Sequence, residues 1–319
     1  MSSAFVEELQ RTTEEEAARG ASWRRGLARF VRNPVSLGGA VLVAVLVTMA
    51  LAAPLLAKVV GHTPNELFSD KVDSFGLPLG PSRQFLFGVD QAGRDLLIRS
   101  VYGLRTSLFV SLAATAIATA IGVAAGLLAG YAGGWLDNVT SRVADVFLAL
   151  PIVLVAISIS SVCSVNATGC AGGLIHPGTA LLILILVAPS WPYLARIVRG
   201  QTISLREHEF VATARALGAS HRQVMFREIL PNLWSQIIVF AALMIPTNII
   251  FEATLSYLGV GIPPTTPSLG GILSDATNGS LFRYAWWMMV FPGTLVILTA
   301  LGFFIVGEGL RDAFHSSSE

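Results

Sequence analysis

The stretch Ser204–Asn232, SLREHEFVATARALGASHRQVMFREILPN, is a polar, arginine-bearing island between two long apolar runs, and its pattern is not that of a solvated linker. Ser204 with Glu207 three residues on has the form of a capping box, which predicts a helix start. Phe210, Ala214 and Leu217 recur at helical spacing, while Arg206, Glu209 and Arg215 fall mostly on other faces. Gly218 stands where a left-handed cap would end that helix. Ser220 with Gln223 forms a second capping box, and Pro231 suits the first turn of a following helix. The stretch therefore reads as helix, glycine turn, helix, then a return to the membrane. Such a hairpin between spans is suited to meeting something outside the bilayer.

Gly218 and Leu230-Pro231 have the spacing of the G-x12-L-P part of the EAA loop in ABC-importer membrane subunits. The runs F210-V-A-T-A-R-A-L-G-A-S-H-R and I229-L-P-N resemble the C-type permeases of dipeptide and oligopeptide importers. That resemblance implies a type I importer fold and a loop that docks on a cytosolic ATPase. It assigns coupling to Glu209, Ala212, Ala214, Arg215, Leu217, Gly218, Ala219, Leu230 and Pro231. The sequence departs from the family at one point. The motif glutamate falls on Ala212 and its alanines on Thr213 and Ala214, while Glu209 offers a carboxylate one turn earlier.

Composition agrees with a membrane protein. Of 319 residues, 53% are hydrophobic and 13% charged, against about 25% charged in soluble domains. A net charge of +1 gives no sign of nucleic acid binding. Residues 1–34 are mixed in charge and end in a basic approach containing Trp23, Arg24, Arg25, Arg29 and Arg32. Residues 35–57 are uncharged and long enough for a first span. Ala50-Leu51-Ala52 resembles a signal cleavage site, but the long, partly acidic leader favours an uncleaved helix.

Residues 58–104 form an interfacial or external segment ending in F87-G-V-D-Q-A-G-R-D-L-L-I-R-S-V-Y-G-L-R, which again resembles the peptide-permease family. Its charges, Asp90, Arg94, Asp95, Arg99 and Arg105, admit two readings: a face for the delivering binding protein, or a self-paired structural element. The core permease region is expected over residues 105–310, with spans near 106–131, 143–162, 178–199, 232–256 and 287–307 around the 204–232 hairpin, and a tail at 311–319. Gly122, Gly126 and Gly130, at every fourth position, predict close helix packing. Arg142 and Asp145 are placed to pair at i,i+3 at the foot of the third span.

From Val146 to Ala195 no residue is formally charged, and the polar insert at 163–177 divides that run into two spans. The insert holds both cysteines, Cys163 and Cys170, whose spacing permits a disulfide if it lies outside the cell but fits no zinc pattern. Pro246 and Pro292 predict kinks. Glu252 is a translocation-path candidate, although a helix begun near Asn232 has risen some 30 Å by then, which places it near the far mouth.

The expectation is thus an all-α integral membrane protein of six spans, with both ends and the hairpin on one side. That side carries 14 of the 21 Lys and Arg residues, which makes it cytoplasmic. With no P-loop the chain is not expected to hydrolyse ATP or hold a cofactor or metal. The resemblance implies a bacterial inner membrane, a second related permease subunit, two cytosolic ATPases that bind ATP and Mg, an extracytoplasmic binding protein, and a peptide, nickel, glutathione or antimicrobial-peptide cargo. An intramembrane enzyme is disfavoured because His62, His176, His208, His221 and His315 lie outside the spans. A scaffold without transport is the third reading.

Overall fold

The computed structural model describes residues 26–165, 178–260 and 262–315, and among these the architecture is helical with only two isolated β-bridges. Ten helices organise it, after a further helical stretch at residues 26–32. They are α1 Pro34–Leu51, α2 Ala53–Val60, α3 Leu96–Ala132, α4 Gly134–Ala149, α5 Ile152–Val165, α6 Thr179–Arg206, α7 Glu209–Ala216, α8 His221–Tyr257, α9 Leu269–Thr277 and α10 Trp287–His315. Five of them are long and apolar enough to cross a membrane, and the bent pair α4–α5 makes a sixth candidate.

The local chemistry explains most of the boundaries. Asn33 caps α1 by accepting from Val35 N at 3.0 Å, with Pro34 in the first turn where its missing N–H leaves nothing unsatisfied. Asp95 caps α3 through Leu97 N and Ile98 N. That cap starts α3 at Leu96 rather than near 106. Its 37 residues span about 55 Å, more than a bilayer core needs, so Arg99 and Arg105 occupy turns at one extremity. The apolar run expected as one span over 143–162 is instead broken and bent by 82°. The cause is local. Leu150 precedes Pro151, where ring contacts disfavour the helical region, and it sits at φ −75°, ψ 132°.

Packing centres on α3 against α6. A Cβ built on Gly122, Gly126 or Gly130 would fall 2.9, 2.5 and 2.7 Å from the carbonyl oxygens of Trp191, Ala195 and Arg199 respectively. The glycine stripe thus lets two backbones touch along three turns, and dispersion at that range holds the pair where lipid offers no hydrophobic drive. A second close pair joins α1 to α10 in antiparallel register, with Gly39 against Ile305 and Gly302 against Val43. Deeper in, Asn248 on α8 donates to Thr115 Oγ1 on α3 at 2.8 Å and accepts from Ser190 Oγ on α6 at 3.2 Å. These bonds tie three helices together.

The bundle has two ends. α3 begins among the loop residues 62–95 and runs to Ala132 beside the 204–232 hairpin, so these regions lie at opposite extremities. α10 starts at the first end, where Trp287 Nε1 donates to Val89 O at 3.1 Å, and finishes at the second. Gly26, beside Phe314, brings the other described chain end to that same extremity.

Candidate functional site

The hairpin follows directly from α6. That helix does not stop at Ser204, because Leu205 packs on the core and Arg206 Nη1 donates to Tyr131 O at 3.1 Å, both of which reward one more turn. The expected capping box at Ser204 and Glu207 is therefore not formed. The next helix, α7, is capped by His208 without a side-chain bond and starts at Glu209, an acid favourably placed by the helix dipole.

The end of α7 is as read from the sequence. Gly218 has φ +85°, Gly218 N donates to Arg215 O, and Ala219 N donates to Ala214 O, both at 3.0 Å, which together make a Schellman motif. No atom crowds a Cβ at Gly218, so glycine is required there by backbone conformation alone. The Ser220–Gln223 capping box is present in both directions. The early part of α8 is a π-helical segment, Val224–Ile229, a form that concentrates at functional places. Pro231 follows in the first turn of regular helix.

One face of the hairpin is anchored and the other is free. Val211, Val224 and Ile229 are fully buried and join the main core, with Phe210, Ala214, Ala219 and Leu230 packed at its edge. Glu209, Ala212, Thr213, Arg215 and Leu217 are exposed, Leu217 by 68%. Leu217 is the C-cap of α7, so this exposed apolar side chain sits at the turn of the knuckle. Tyr131, which no sequence pattern singled out, meets the hairpin three times. Its hydroxyl is 2.9 Å from His221 Nδ1, its ring centroid is 5.2 Å from the Arg215 guanidinium carbon, and its carbonyl receives Arg206. The only trace in the sequence is an aromatic residue directly after the last glycine of the stripe.

At the opposite end the charged motif folds into a buried collar. Asp90 Oδ1 accepts from Ala92 N and Arg94 N, both at 2.9 Å, and its Oδ2 lies 2.7 Å from Arg94 Nε and 3.1 Å from Arg99 Nε. The Arg99 contact is an ion pair whose angle leaves Nε–H outside a hydrogen bond, while Nη1 donates to Pro64 O at 3.0 Å and Asn65 Oδ1 at 3.2 Å. Arg94 also reaches Asp275 on α9 at 3.5 Å. Asp95, besides capping α3, lies 2.6 Å from His62 Nδ1, and the His62 ring stacks on Phe85. Burial is the main cause that raises the Asp275 carboxyl above the usual range, against Arg94, which lowers it.

Asp90, Asp95 and Arg99 are 1, 1 and 3% exposed. Of the two readings of this motif, the self-paired element matches these contacts. Buried groups offer no face to a visiting protein, and Arg105 stands exposed on α3. Asp145 pairs with Arg196 rather than with Arg142, and Asp137 with Arg199, so the foot of α4 is tied across to α6 instead of along its own helix. Glu252 lies near the far end of α8 but is not open to solvent there. It is fully buried and accepts from Ser256 Oγ at 2.7 Å, with α9 packed on that end of α8. Cys163 is buried and disulfide-bonded, and Cys170 lies outside the described residues.

A cavity of about 410 Å³ opens beside the α4–α5 break, lined by Ile152 next to that break, Pro189, Ser190 and Tyr193 of α6, and Phe240 and Asn248 of α8. Its walls are mostly apolar, and of its polar groups Ser190 and Asn248 are bonded to each other.

Residues 122–317 match the family model for the binding-protein-dependent transport system inner membrane component, and residues 22–74 match the N-terminal transmembrane domain of oligopeptide transport permease C. The chain belongs to this family of membrane permeases. Among its relatives are the oligopeptide transport system permease protein OppC of Bacillus subtilis, 34% identical over 91% of this chain and 88% of the relative. The dipeptide permease DppC of Alkalihalophilus pseudofirmus is 34% identical, covering 94% and 91%. The glutathione transport permease GsiD of Escherichia coli is 36% identical, covering 91% and 89%. A structure of the MetNI methionine ABC transporter, inward facing, aligns with TM-score 0.44 and 20% identity over 65% of this permease and 94% of that chain.

Proposed function

We propose that this permease forms half of a translocation pathway for short peptides, in an importer of type I architecture driven by two cytosolic ATPases. A second, related permease supplies the other half, and an extracytoplasmic binding protein delivers the cargo. ATP and Mg are bound by the ATPases, and the whole sits in a bacterial inner membrane with both chain ends and the hairpin facing the cytoplasm. The basic-residue asymmetry supports that orientation. The names of the relatives, which span oligopeptide, dipeptide and glutathione transport, support a short-peptide cargo.

The observation that carries the coupling role is Leu217. It is 68% exposed on a knuckle whose inner face is fully buried in the core, an arrangement suited to a partner's groove. Force on that knuckle reaches the spans, and alternating access needs the bundle to hold two packings of similar energy. The break at Pro151 and the prolines carried inside α6, α8 and α10 suit such a change, and the cavity beside that break supports a pathway there.

The test is attachment. Leu217→Asp is expected to leave the permease folded and inserted, since the side chain contributes little to its core, and to abolish copurification of the ATPases. Full ATPase retention with normal uptake would remove the coupling assignment.

A further inference from the structure

The hairpin has two routes into the spans, and they differ mechanically. Along α8, toward its regular part from Leu230 on, it passes through the π-helical turn at Val224–Ile229, whose i→i+5 bonding makes it a place where register can change. Toward α3 it is held by Tyr131, in three contacts that come from three segments: the end of α6, α7, and the start of α8. Gly130, adjacent in sequence, lies against Arg199 O, so the α3 end that carries Tyr131 is also pressed onto α6.

We propose that Tyr131 is the positioning residue that makes hairpin, α3 and α6 one rigid lever, leaving the π-helical turn to absorb the relative movement of α8. The lever rests on the reading of the hairpin as the motor's docking point, and the contacts themselves do not. Tyr131 gathers a hydroxyl contact, a cation–π contact and a backbone contact on a single residue, so the three hairpin segments cannot shift against α3 without breaking at least one.

The experiment uses the complete transporter in liposomes, with its ATPases and binding protein. Tyr131→Phe removes only the hydroxyl contact with His221, and Tyr131→Ala removes the ring contact as well. Peptide taken up per ATP hydrolysed is expected to fall by roughly 5-fold in the first and 10-fold or more in the second, within the usual range of coupling between sites. ATPase attachment is expected to remain. Independently, spin labels at Leu128→Cys and Arg222→Cys should keep one narrow distance through the ATP cycle in the parent and a broadened one in Tyr131→Ala. An unchanged uptake ratio, or a label distance that already varies through the cycle in the parent, would overturn the lever. If the parent transporter itself failed to couple ATP to uptake, the docking assignment would fall instead. Should Tyr131→Ala fail to assemble, Tyr131→Phe and the parent label distance decide the matter.

Discussion

The two ends of this permease handle charge in opposite ways. At the collar, Asp90, Arg94, Asp95 and Arg99 are turned inward and spend their charges on one another, on His62 and on backbone groups of the adjoining loop. At the hairpin, Glu209, Arg215 and Arg222 are exposed, and the inner face is held by aliphatic packing and one tyrosine. The first arrangement fixes where loops and helices meet. The second keeps a rigid shape while leaving its surface available. Similar densities of charge in the sequence therefore mean inward pairing at one end and an exposed surface at the other, and burial makes the distinction.

The largest effect should come from breaking the collar. Asp90→Ala removes the shared partner of Arg94 and Arg99 and leaves Arg99 as a buried charge, a change that typically costs about 3–5 kcal/mol. The thermal midpoint of the solubilised permease should fall sharply, or the chain should fail to accumulate. A near-normal midpoint would mean the network is not structural. The hairpin should respond in the opposite sense. Gly218→Val forces a branched residue into the left-handed region at a local cost of about 1–2 kcal/mol, so the midpoint should move little while ATPase attachment and uptake are lost.

Much of this contrast was legible in the sequence, but unevenly. Gly218, the Ser220–Gln223 box and Pro231 could be placed because each encodes its own backbone geometry within four residues. The glycine stripe could be read because its period matches a helix face. Signals that depend on distant partners were not readable in the same way. Ser204 and Glu207 carry the letters of a cap, yet Leu205 and Arg206 find partners that prolong α6 past them. Asp145 had Arg142 at the right spacing, but Arg196, 51 positions on, holds it. Glu252 lies near the far end of its helix as helical rise implies, but rise says nothing of the cover that a later segment provides. Tyr131 carried no motif at all, since its role consists of contacts from three segments at least 75 residues further along.

The smallest expected effect sharpens the collar's outer edge. Asp275 binds its proton more tightly when folded than unfolded, because burial opposes its charge. Its protonated form therefore contributes stability that is complete below the ordinary carboxylate value of about 4 and is lost as pH rises through the elevated value. Asp275→Asn should flatten that decline, seen as a shallower dependence of the thermal midpoint on pH over this range. An identical pH profile in parent and variant would place the titration elsewhere.

The most direct test of the account is the accessibility of position 217 in the working transporter. A Leu217→Cys permease, compared with the parent as background, should react with a membrane-impermeant maleimide in inside-out vesicles stripped of ATPases. It should be shielded when they are restored and silent in intact cells. Labelling from outside intact cells, or reactivity in inverted vesicles that is the same with and without the ATPases, would contradict the claim that this knuckle is where the motor takes hold.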